Sequence, residues 1–140
     1  MLKQKENLDT YLIDRNSIER LKKEYNEHEN IVIGYDFDDT VFPYHDTKTD
    51  MVVNLLKDCK KLGFTLCIWS TCTRPEDIKY KVYIAEKMGI GPDYINESPL
   101  FNGTTKPYFN ILLDDRAGLS SSYNILKTVI EELKEENNII

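Results

Sequence analysis

Residues 31–41 read Ile-Val-Ile-Gly-Tyr-Asp-Phe-Asp-Asp-Thr-Val: an apolar run of strand formers, then three carboxylates within four residues. A β-branched run that gives way abruptly to acids fits a buried strand of a parallel sheet. Open α/β sheets bind their ligands beyond the carboxyl ends of such strands, which is where Asp36 and Asp38 fall. Residues i and i+2 of an extended segment face the same way, so these two carboxylates can converge on one point. Carboxylates held close repel unless a cation or a shared proton intervenes, and a hard oxygen site with one or two carboxylates suits Mg2+. Taken alone, the same acids could simply cap the following turn.

The pattern returns further along. Residues 64–69, Phe-Thr-Leu-Cys-Ile-Trp, form a second apolar run that ends in Ser70, Thr71, Cys72, Thr73, Arg74 and Pro75. Hydroxyls beside an arginine at a strand end are suited to phosphate oxygens; the same hydroxyls could cap the helix that begins near Pro75. Residues 107–113 make a third run, preceded by Lys106 and closed by Asp114, Asp115 and Arg116. Lys106 by spacing alone is an ordinary exposed lysine.

Between these strands the periodicity is helical. A short helix capped by Ser17 carries Ile18, Leu21, Lys22 and Tyr25 on one side. Thr49 or Asp50 starts the next helix, with Val52, Val53, Leu55, Leu56 and Cys59 buried and Gly63 as its stop. A third runs from Pro75 to about residue 87 and buries Ile78, Val82, Tyr83 and Ala85. Tyr94 and Ile95 give a short edge strand, residues 96–105 a loop, and residues 120–138 an amphipathic tail helix. At 140 residues a single domain is expected, spanning 1–140, with residues 1–16 as a peripheral arm and the core at about 31–136.

Composition narrows the function. A net charge of -6 argues against broad, unspecific nucleic-acid binding. No segment has the length and apolarity of a membrane span, and residues 1–7 lack the apolar core of a signal peptide, so a cytoplasmic protein is expected. Cys59, Cys67 and Cys72 have no CxxC spacing and only His28 and His45 accompany them, which fits reduced thiols and disfavours zinc.

The four groups in chain order, Asp36-x-Asp38-x-Thr40, Ser70-Thr71, Lys106 and Asp114-Asp115, are weak singly and strong together. Over about residues 31–116 the chain resembles the haloacid dehalogenase-like superfamily, mostly phosphohydrolases. Residues 66–70, Lys106-Pro107-Tyr108 and residues 112–116 look like its small capless members, and are similar to the phosphatase domains of polynucleotide kinase–phosphatases and to deoxyribonucleotidases. The resemblance implies a three-layer Rossmann-like α/β sandwich with a mainly parallel central sheet. It implies Asp36 as nucleophile and Asp38 as general acid/base, its backbone carbonyl also on Mg2+. Ser70, or Thr71 beside it, would hold the phosphoryl group, Lys106 would neutralise its charge, and Asp115, with Asp114 as neighbour, would complete the Mg2+ site of Asp36 and Asp38. Arg74 is placed for the substrate's leaving group. A receiver domain uses similar residues, but with its acidic pair ahead of the phosphorylated aspartate.

The segments after residue 41 and after residue 75 are too short for a folded cap, so an open site is expected, rimmed by Phe42, Tyr44, His45, Arg74 and Phe101. The expected activity is Mg2+-dependent hydrolysis of a small phosphorylated metabolite or nucleotide. The alternatives are a phosphatase of nucleic-acid 3′ ends, which the acidic charge disfavours, and a non-catalytic metal- or phosphate-binding regulatory module.

Overall fold

A computed structural model describes residues 7–97, 99 and 105–137. The expectations for Phe101 and Asn138, and part of those for the 96–105 loop and the N-terminal arm, lie outside these residues. Four parallel strands form one sheet in the order β3-β2-β1-β4, with β1 Val32–Tyr35, β2 Thr65–Ile68, β3 Tyr94–Ile95 and β4 Ile111–Leu113. The helices are α1 Asp14–His28, α2 Asp50–Lys61, α3 Pro75–Lys87 and α4 Leu119–Glu136, with a 3-10 turn at Thr10–Leu12 before α1. Together they make a three-layer α/β sandwich of Rossmann-like type, with no separate cap domain among the described residues.

Each β1 residue is buried, as its apolar run requires. Ile31, Ile33 and Tyr35, with Leu66, Ile68 and Leu113, enter one continuous core with Leu55 and Leu56 of α2 and Leu126, Val129 and Ile130 of α4. Tyr35 closes this core with a hydrogen bond from its hydroxyl to the Ile90 carbonyl (2.7 Å), and burial raises its pKa. Helix α2 stops where Gly63 takes φ +81°. There Gly63 N–H donates to the Lys60 carbonyl (3.0 Å) and Phe64 N–H to that of Cys59 (3.0 Å), a Schellman ending. Met88, Gly89 and Ile90 repeat the device after α3, with Gly89 also at φ +81°.

The boundaries differ from expectation in four places. Helix α1 begins at Asp14, so Ser17 lies inside it; no side chain caps its start, and Asn16 ties back to the Thr10 carbonyl (2.8 Å). Its docking is fixed by charge as well as by Ile18 and Leu21. The Arg15 fork grips Glu132 of α4 (2.8 and 2.6 Å), and the buried Lys22 ammonium reaches Glu132 and Glu136. Strand β4 is shorter than the apolar run: regular pairing begins at Ile111, and just before it Asn110 holds Val32 twice, its N–H donating to the Val32 carbonyl (2.8 Å) and its Oδ1 accepting from the Val32 N–H (2.6 Å). Tyr83 is exposed, with the Lys87 ammonium 4.7 Å over its ring. Finally, Ser70–Thr73 do not cap α3; Arg74 holds the N-cap position without a side-chain cap bond.

Gly34, at the middle of β1, permits a close approach. A Cβ there would meet the Phe109 ring at 2.7 Å, and that ring packs edge-on against Trp69 (5.7 Å between centroids). Gly34→Val should therefore lower the denaturant-derived stability by about 1–3 kcal/mol through overpacking. Adding Phe109→Ala should recover part of that loss in a double-mutant cycle; additive losses would mean the two sites do not meet.

Candidate active site

The chain runs β1, β2, β3 outward in one direction, and β4 then returns to the other side of β1. The crevice between β1 and β4 is thus the topological switch point, the place where α/β sheets take ligands. Tyr35 pairs with Leu113, so the next residues, Asp36 and Asp114, emerge side by side. Asp36 N–H completes the ladder by donating to the Leu113 carbonyl (2.9 Å).

Asp36, Asp114 and Asp115 each offer a carboxylate oxygen within 4.8 Å of the others. Buried Thr40 organises them: its hydroxyl lies 3.3 Å from Asp36 Oδ2 and 3.3 Å from Asp115 Oδ1, and accepts the Asp115 N–H (3.0 Å). One hydroxyl proton serves only one carboxylate at a time. The Asp36 carboxyl is pushed up to about 7, first by burial, then by its hydrogen bond with Asp115 and the charge of Asp114. A partly buried oxygen cluster with excess negative charge fits a small divalent cation, which relieves the repulsion.

Asp38 lies one step outward. Residues 37–42 curl around the Phe37 carbonyl, which accepts from Val41 N–H (3.0 Å) and Phe42 N–H (3.0 Å). Asp39 takes a left-handed conformation (φ +61°) in this turn. Its carboxylate binds the His45 ring, the His45 N–H (2.8 Å) and the Thr47 hydroxyl (2.9 Å), which hold it near pKa 2, His45 contributing most. His45 thus serves to fold the loop back onto Asp39. Asp36, Asp38, Thr71, Asp114, Asp115 and Arg116 line one cavity of about 420 Å³, with Tyr44 and His45 at its rim.

The β2 end is built differently from expectation. The Ser70 hydroxyl accepts the Cys72 N–H (3.2 Å) and the Lys81 ammonium (2.9 Å), while Thr71 faces the cavity. Asn96, just after β3, fastens this turn by accepting the Ser70 N–H (2.7 Å). Lys81 also lies 3.8 Å from Asp38 and 5.5 Å over the Phe37 ring. Lys81 and Asn96 are the residues that sequence reasoning missed. Lys81 follows Ile78 by one turn on the inward side of α3, a helical-periodicity signal, whereas nothing in the sequence marks Asn96. Arg74 turns away, to Glu76 (2.7 Å) and Asp77 (3.7 Å). Lys106 is exposed and is not among the residues lining the acidic cavity. Cys59, Cys67 and Cys72 are free thiols; burial pushes the Cys67 thiol up to about 12. Among the described residues no helix is long and apolar enough to cross a membrane.

No family model matches the chain. No curated protein matches it either. Among solved structures it is similar to a conserved protein from Bacteroides thetaiotaomicron at 18% identity and a TM-score of 0.57, covering 76% of this chain and 92% of that one. At that identity the likeness speaks for the fold: a small α/β Rossmann-like domain, here carrying a partly buried acidic cluster at the end of β1.

Proposed function

We propose that the chain is a Mg2+-dependent phosphomonoester hydrolase of the haloacid dehalogenase-like type, acting on a small phosphorylated metabolite or nucleotide. The observation that carries this reading is the meeting of Asp36 with Asp114 and Asp115 at the switch point between β1 and β4. Asp36, Asp115 and the Asp38 backbone carbonyl would hold the cation, with Asp114 beside them. A bound divalent cation supplies the positive charge that lets a carboxylate approach a phosphate dianion.

The chain's own residues divide the work as follows. Asp36 attacks phosphorus and takes the phosphoryl group as an aspartyl-phosphate. Asp38 gives a proton to the leaving oxygen and then takes one from the water that hydrolyses the intermediate. Thr71, with the neighbouring Ser70 hydroxyl, holds the phosphoryl oxygens. Lys106 is the lysine that the family resemblance assigns to the phosphoryl charge; Lys81, against Ser70 and Asp38, adds a second cation on the leaving-group side. Thr40 keeps the acids in register for an in-line displacement. A nucleic-acid 3′ end is the second substrate reading, favoured by the lack of a cap among the described residues.

The test is phosphate release from nucleotides, sugar phosphates, aryl phosphates and 3′-phosphorylated oligonucleotides, in Mg2+ and in chelator. Turnover that needs Mg2+ and returns on its re-addition is expected. Absence of release from every substrate, or release indifferent to chelator, would overturn the reading.

A further inference from the structure

A second cavity of about 390 Å³ opens beside the acidic one, and Asp38, Tyr44 and Thr71 line both. Its character is different. Phe37 and Phe42 stack on each other (5.3 Å between centroids, 16° between planes), with Phe37 almost fully buried. Tyr44 and Tyr80 stand at its rim, 62% and 53% exposed. Large aromatic rings left in water beside an apolar cavity are a binding feature rather than core. Lys81 brings the sole cationic head among the residues lining this cavity, and Arg74 is held away by Glu76 and Asp77.

We propose that this cavity receives the leaving group of the phosphomonoester, and that the leaving group carries a flat aromatic ring a short linker away from the phosphate oxygen. The inference rests on the phosphatase reading and adds the substrate class to it. A phosphoryl group held at Asp36 must present its leaving oxygen to Asp38, and Asp38 lines the aromatic cavity as well as the acidic one. A ring there stacks against Tyr80, since the Tyr44 ring already packs edge-on against His45 (4.7 Å), while Lys81 stays with the phosphate end.

The test uses benzylphosphonate and ethylphosphonate, which cannot be hydrolysed, together with benzyl and ethyl phosphate, whose leaving oxygens are both primary alkyl. Calorimetry of the full chain in Mg2+ should give benzylphosphonate about tenfold tighter binding or more, the scale of ring stacking. Tyr80→Ala should remove most of that preference, and Tyr80→Phe should keep it. The benzyl ester should show the same preference in kcat/KM. Equal binding of the two phosphonates, or a preference unmoved by Tyr80→Ala, overturns the proposal. Hydrolysis of both esters without preference overturns it while leaving the phosphatase reading intact. Preferred binding of benzylphosphonate with no phosphate release from any ester, nucleotide or sugar phosphate supports the ring site and removes the phosphatase reading. Comparing adenosine 5′-phosphate with ribose 5-phosphate distinguishes a nucleobase from a simple aryl group as the ring.

Discussion

Asp36→Asn should abolish Mg2+-dependent phosphate release, lowering kcat by about 10³-fold or more, and the same variant should withstand heat better than the wild type when metal is withheld. Both results come from one geometry. The amide keeps the shape of the side chain but is a poor nucleophile toward phosphorus. It also removes one negative charge from three carboxyl groups that approach within 4.8 Å. The wild-type Asp36 carboxyl moves from 3.8 to about 7 on folding. The folded chain therefore holds this proton more tightly than the unfolded chain does. Stability is lost as pH rises from about 4 towards 7, because the native state must give up a proton that the unfolded state has already lost. Metal-free wild type should thus melt at a lower temperature at pH 8 than at pH 5, and Asp36→Asn should show a smaller difference. Added Mg2+ should raise the wild-type melting temperature more at pH 8, where protons no longer compete for the oxygens. Thermal melts at the two pH values, with and without chelator, check all three. A wild-type rate preserved in Asp36→Asn would remove the nucleophile assignment outright.

Phe37→Ala should lower the stability by about 3–5 kcal/mol. The ring lies between the two catalytic candidates in sequence, is 1% exposed, and stacks on Phe42. Removing it leaves a void in a core whose neighbours, Val41 and Tyr35, are themselves fully buried. Backbone bonds from Val41 and Phe42 to the residue-37 carbonyl survive the substitution, so the turn can still form. What is lost is its packing against the body of the protein, together with the surface under Lys81. Phe37→Leu, which keeps most of the volume, should cost roughly 1.5 kcal/mol or less. Urea unfolding of the two variants measures the difference; a Phe37→Ala loss under about 1 kcal/mol would mean the ring is not part of the core.

The parts of the fold that were legible share a property: one local cause decides them. The burial of β1 and β2 follows from composition alone, and the end of α2 follows from Gly63. The parts that were not legible depend on distant partners. The apolar run 107–113 reads as one strand, yet its first half is governed by Pro107, which has no N–H to give, and by Asn110, whose side-chain oxygen, in place of a strand carbonyl, takes the Val32 N–H while its own N–H donates to the Val32 carbonyl. Ser17 is a good capping residue, but α1 is carried past it to Asp14, and Arg15 finds Glu132 across the helix interface. At the site, the strand ends placed Asp36, Asp38, Thr71, Asp114 and Asp115 around one cavity, because parallel strands deliver their carboxyl ends to one edge. Arg74 followed its nearest acids instead, which its neighbours Glu76 and Asp77 already suggested. Lys81 reads as a solvated helix residue until β2 brings Ser70 to it.

The return of β4 to β1 has a kinetic side. Val32 and Asn110 are 78 residues apart along the chain, so this pairing closes the longest loop in the sheet. Such non-local contacts form at a large entropic cost and come late in folding. Asp36 is then expected to meet Asp114 and Asp115 after most of the barrier has been climbed, so that their repulsion weighs on the native state rather than on the route to it. A cation bridging the two strand ends would then act as a latch, slowing the rate at which the finished sheet opens while leaving the rate at which it assembles nearly unchanged.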